Sequence, residues 1–173
     1  MSLAAETVEL VRRRAGFACE YCGVSEIDSG GALTIDHFQP IIKGGGNDID
    51  NLIYCCARCN AYKQAYWPST PAAISLWNPR HEPASAHFVE LADGWLLPLT
   101  EMASFTANRL RLNRAPLVSY RLQKREREYE RLLLRRYQEL TETLEQLNAQ
   151  LDRLMQMQRE LLREQNELLR LFF

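Results

Sequence analysis

The stretch Asn51-Leu52-Ile53-Tyr54-Cys55-Cys56-Ala57-Arg58-Cys59-Asn60 changes character halfway along. Leu52 to Cys55 is a short apolar run of β-favouring residues and reads as a strand. From about Arg58 to Ala65 the pattern turns helical. Upstream, Leu33-Thr34-Ile35-Asp36-His37 reads as a second strand, ended by Pro40 and the Gly44-Gly45-Gly46 run, which make a loop. The order is strand, loop, strand, helix. Cys56-x-x-Cys59 sits on the strand-helix junction, and Cys19-x-x-Cys22-Gly23 forms a tight turn well before it. Gly23 suits a positive φ there.

Two such pairs can make one four-thiolate zinc site of Cys19, Cys22, Cys56 and Cys59. All four positions are filled, so the metal is expected to be structural. A domain this small has little core and gains from the staple. Cys55, the fifth cysteine, is read as an inward-facing strand residue. Inside this frame lie Asp36, His37, Asn51 and Asn60. They supply a base, a carboxylate and two amides, the groups that phosphodiester hydrolysis uses. Imidazole exchanges protons near neutral pH, so His37 is the candidate general base. Asn51 also suits a plain turn position.

This arrangement resembles the zinc-stapled HNH, or ββα-metal, nucleases. The resemblance covers roughly residues 7–121. Beyond the motif it extends to Trp77-Asn-Pro-Arg80, His87-Phe88, Asp93-Gly94 and the run from Asn108 to Arg114. It implies a metal-dependent endonuclease acting on DNA. His37 would be the base, and Asn51 would orient it. Asp36 and Asn60 would hold a catalytic Mg²⁺ or Mn²⁺. Asn at position 60, where many members carry His, looks like the variant of the RNA-guided CRISPR nucleases. Lys43, Arg58, Lys63, Arg109, Arg111 and Arg114 are the candidate DNA-binding cations. Trp77, Trp95 and Phe88 are expected in the core, and His81 and His87 are expected to be structural.

The 173 residues carry a formal net charge of −1, so the chain as a whole is no polycation. Yet Arg109 to Arg136 holds ten Lys/Arg against three Glu, which suits a phosphate-facing surface or a solvated helix face. The N-terminus has Glu6, Glu9 and three consecutive arginines where a secretory signal needs an apolar run. No apolar run is long enough for a bilayer, so no membrane partner is expected. A reducing, cytoplasmic setting is expected, where clustered cysteines favour metal over disulfides.

The predicted fold class is α+β: a nuclease core over 1–66, a loop-rich extension with a hairpin and a short helix over 67–116, and a long helix over 117–173. Residues 4–15 form a first helix. Pro68, Pro71, Pro79 and Pro83 punctuate the connector, Ala92-Asp93-Gly94 turns the hairpin, and Thr100 caps a helix to about Leu112. Pro116 opens the long helix, which has neither Gly nor Pro after it. Leu133, Leu140, Leu147, Leu154, Leu161 and Leu168 occupy one heptad position. Tyr137, Leu144, Leu151, Gln158, Gln165 and Phe172 occupy the other. This is a coiled-coil pattern. It predicts a homodimer or other low oligomer through residues 126–173, or docking on a foreign helical partner. The alternative to an enzyme is a catalytically idle zinc-stapled module that binds nucleic acid or serves as a scaffold.

Overall fold

The structure is a computed structural model that describes residues 3–70 and 72–172, with side chains described as far as residue 170. Pro71 of the connector, Phe173 and the side chains of Leu171 and Phe172 lie outside the described residues. The fold is α+β, as the sequence predicts. Two compact units are present, Met1–Gln123 and Lys124–Phe173.

In the first unit, α1 spans Ala5–Arg14, α2 Glu26–Ser29, β1 Thr34–His37, β2 Leu52–Cys55 and α3 Ala57–Lys63. A hairpin follows, β3 Phe88–Glu90 and β4 Leu96–Pro98, then α4 Glu101–Arg109 and the start of α5, Ala115–Phe172. β1 and β2 pair antiparallel, with Asp36 opposite Ile53 and His37 opposite Leu52. The predicted ββα order is present. α3 stops at Lys63 rather than Ala65 because Gln64 takes a positive φ of 54°. α4 likewise ends at Arg109, short of Leu112, and Arg111 turns to φ 49°. The four-residue α2 escapes sequence reading because it has no apolar period; its Ser25 side chain caps it by accepting from Asp28 N.

β2 is buried along its whole length because both faces are covered. Val11 of α1 packs with Leu52 and Tyr54. Arg14 fixes that helix by donating to Ile49 O at 2.7 Å and Leu52 O at 2.5 Å. Ile53 and Cys55 enter the larger core with Phe38, Leu76, Trp77, Phe88, Leu110 and Leu112. That core draws on residues both before and after the connector, so the extension completes the interior of the ββα motif. Trp77 and Phe88 are buried, as expected, and meet edge to face at 5.4 Å. Trp95 departs from expectation at 47% exposed: it follows the turn of a two-stranded sheet and points away from the core. His87 is structural, as expected: its Nδ1 lies 3.0 Å from the Thr100 hydroxyl that caps α4, and its Nε2 contacts Glu82.

The first turns of α5 complete this unit. Leu117 is buried, and the Arg121 guanidinium donates to Gly94 O at 2.7 Å and Leu112 O at 2.9 Å. In the second unit, Lys124–Phe173, all the described side chains are exposed. No helix among the described residues is long and apolar enough to cross a membrane.

Candidate active site and metal centre

The Cys19–Cys22 turn closes with Gly23 N donating to Cys19 O at 2.7 Å, and Gly23 takes the expected positive φ, 75°. This brings both sulfurs onto the β2–α3 junction. The Sγ atoms of Cys19, Cys22, Cys56 and Cys59 all lie within 4.8 Å of one another, and Cys22 Sγ is 3.8 Å from Cys56 Sγ. Thiolates bound about 2.3 Å from one tetrahedral ion stand about 3.8 Å apart, so the donor set and spacing fit a single zinc. Cys56 also caps α3 by accepting from Cys59 N. Cys55 lies outside this group, fully buried, and burial pushes its thiol above the usual range.

Asp36, His37 and Asn60 line one open depression of about 300 Å³, together with Pro40, Ile41, Ile42, Gln64 and Ala65. Asp36 and His37 come from neighbouring strand positions, whose side chains ordinarily alternate between faces. Here β1 ends at His37, so the depression wraps the strand end. Asn60 comes from α3, and a 3.4 Å contact turns its Nδ2 toward Thr34 Oγ1. A carboxylate and a side-chain amide facing an open hollow are hard oxygen donors, the chemistry that Mg²⁺ or Mn²⁺ requires.

The loop between the strands is braced by Asn51. Its Oδ1 accepts from Gln39 N at 2.8 Å, and its Nδ2 donates to Gln39 O at 3.1 Å and Gly46 O at 2.8 Å. A β-carbon at Gly45 would sit 1.8 Å from Gln39 O, so this loop closes only around glycine. Asn51 therefore acts on the loop and makes no hydrogen bond to the His37 ring. Asn47 takes that part, with Oδ1 2.8 Å from His37 Nε2. An amide oxygen only accepts, so this contact suits the tautomer with its proton on Nε2. Sequence reading missed Asn47. Its one signal is an amide directly after the glycine run that follows His37.

Lys63 corrects an expectation. Expected to hold phosphate, its side chain is instead fully buried. Its ammonium lies 2.8 Å from Asp36 Oδ2 and donates to His37 O at 2.7 Å. α3 carries it inward, where it clamps the end of β1. The remaining cations occupy varied settings. Lys43 and Arg58 are exposed. Arg109 lies 4.2 Å over the Tyr66 ring and donates twice to Lys63 O, satisfying a carbonyl at the C-terminus of α3. Arg111 and Arg114 both lie over Tyr62, at 4.9 and 5.6 Å. A larger groove of about 550 Å³ lies elsewhere around the same loop, but Asp48, Asp50 and Glu82 on its lining have the wrong sign for phosphate.

No curated protein and no solved structure matches the chain. Residues 19–65 match the family model described as HNH endonuclease, and that span holds the four-cysteine cluster, both strands, the loop and α3. Residues 19–65 form an HNH endonuclease domain with a four-cysteine staple.

Proposed function

We propose that this protein is a metal-dependent endonuclease that hydrolyses DNA phosphodiester bonds. The observation that carries this reading is the convergence of Asp36, His37 and Asn60 on one open depression within the HNH span. Asn47 holds the His37 ring with Nδ1 free to take a proton from water. The water oxygen forms the new bond to phosphorus, the bond to the 3′ oxygen breaks, and that oxygen leaves with the electron pair and takes a proton from solvent. The products carry 5′-phosphate and 3′-hydroxyl ends. Lys63 engages Asp36 Oδ2, so Asp36 and Asn60 would hold the ion through their remaining side-chain oxygens. A Mg²⁺ or Mn²⁺ ion held there supplies charge neutralisation at the reacting phosphate. Zn²⁺ on the four cysteines is structural. Lys43, Arg58, Arg109, Arg111 and Arg114 are the proposed DNA contacts. Residues 126–173 assemble the nuclease as a low oligomer, with docking on a foreign helical partner as the other outcome.

One observation favours the rival, an idle nucleic-acid-binding or scaffolding subunit: the buried ammonium of Lys63 already neutralises Asp36. A plasmid-cleavage assay separates the two. Nicking that needs added Mg²⁺ or Mn²⁺ and disappears in His37→Ala supports the enzyme. Intact plasmid under every metal condition, with DNA still bound, supports the rival.

A further inference from the structure

Resting on the self-assembly reading above, we propose that residues 124–173 pair with the same segment of a second copy in antiparallel orientation, centred near Gln150. Among the described residues nothing covers the apolar stripe: Leu133, Leu147 and Leu161 are 50%, 54% and 64% exposed. The charges on its flanks select the direction. With leucines at d, the flanking e and g positions from Leu134 to Leu169 hold only two charged residues, Arg136 and Glu164, both at g. In a parallel coiled coil g meets the e position five residues on. Arg136 would then meet Thr141 and Glu164 would meet Leu169, and neither charge gains a partner. In an antiparallel pair g meets g. Arg136 and Glu164 lie fourteen residues to either side of Gln150, so a two-fold axis passing beside Ala149 and Gln150 joins them twice by symmetry.

The same register also aligns the apolar seams of the two copies. Leu144 then meets Leu154, Leu147 meets Leu151, and Tyr137 meets Leu161. Gln158 meets Leu140, beside the hydroxyls of Thr141 and Thr143. Those hydroxyls donate to Tyr137 O and Glu139 O, both at 2.9 Å, and keep lone pairs for an incoming amide.

Net charge agrees. Residues 124–136 carry six Lys/Arg and three Glu, whereas 137–172 carry four Arg and seven Asp/Glu. Parallel alignment lays each stretch over its own copy, and like charges in apposition weaken pairing. The gain of parallel alignment is that Gln158 and Gln165 each face themselves; the charge pattern outweighs it. In the antiparallel pair, the two Lys124 residues stand roughly 75 Å apart at 1.5 Å per residue.

The test uses the full-length protein with Leu144→Cys and Leu154→Cys made separately. Mild oxidation of an equal mixture should join position 144 to position 154 between copies, with neither variant alone forming that crosslinked dimer. Arg136→Glu and Glu164→Arg should each weaken association roughly tenfold at low salt, and the double variant should restore it. Each cysteine variant crosslinking to itself, with association indifferent to position 136, would overturn the antiparallel arrangement and leave self-assembly intact. A monomer by light scattering at micromolar concentration, with no crosslink in any arm, would overturn both.

Discussion

The two units differ in where their apolar surface goes. In the first, Leu52, Ile53, Tyr54 and Leu110 are buried to 1% exposure or less, and even a lysine is fully enclosed. In the second, leucines at regular intervals stand half exposed or more. Covering one leucine is worth about 1.5–3 kcal/mol, so the first unit has collected that stabilisation within one chain and the second has not. The first unit is a finished object whose candidate site depends on internal placement. The helical unit keeps its apolar stripe exposed, as the proposed pairing requires.

Breaking the four-cysteine cluster should separate the units most sharply. Cys59→Ser is expected to unfold the nuclease unit or make the protein insoluble, because metal binding and folding are one process at such sites. The helix content of the second unit should survive, as read by circular dichroism. Elemental analysis should find one zinc per chain. Active protein without zinc would refute the staple.

Next in size is His37→Ala, which should lower cleavage by roughly 10²–10⁴ with an unchanged melting temperature. Near-normal turnover, free of contaminating nuclease, would remove His37 from the reaction. Lys63→Met should act on stability first. It leaves Asp36 uncompensated in a mostly buried setting, which costs about 3 kcal/mol. Urea denaturation measures this, and added Mg²⁺ should recover part of it by taking over the Asp36 charge. No recovery would argue against metal at Asp36.

A smaller effect concerns acid. Arg12 donates to both oxygens of Glu26, at 2.5 and 2.6 Å, and Tyr54 also donates to it, holding its carboxyl down to about 2 from 4.5. A depressed carboxyl stabilises above its unfolded value and loses that contribution as pH falls through the folded one. Glu26→Gln should therefore lower stability at neutral pH and flatten the acid limb between about 4.5 and 2, with no effect on the helical unit. The smallest change should come from deleting residues 126–173. Light scattering should report a monomer, while the melting temperature of the nuclease unit stays within a degree or two. A large drop would mean that the two units are thermodynamically coupled.

The sequence was most legible where one residue type has one use. The paired cysteines, the short strand runs, and the leucine heptads each carry a local signal that survives without knowledge of the fold. Asp36, His37 and Asn60 were legible as a set because the frame around them fixed their meeting point. Lys63 was not, because nothing local distinguishes a lysine on the outer face of a short helix from one on the inner face; the rotation of α3 decides that, and the rotation comes from tertiary packing. Asn47 was hidden for a related reason. Its partner lies ten residues away across a loop whose path depends on Gly45. Trp95 is exposed despite its apolar ring because a two-stranded hairpin has only one side to bury.

The seven residues of α3 leave it no rotational freedom. Cys59 faces the cysteine cluster, Asn60 the depression, Tyr62 two arginines and Lys63 the end of β1. A helix advances 100° per residue, so one inserted or deleted residue between Cys59 and Lys63 would misalign the positions downstream of it at once. The segment thus behaves as a splined shaft: it engages in a single angular setting, and its spacing is as much a part of the site as its side chains.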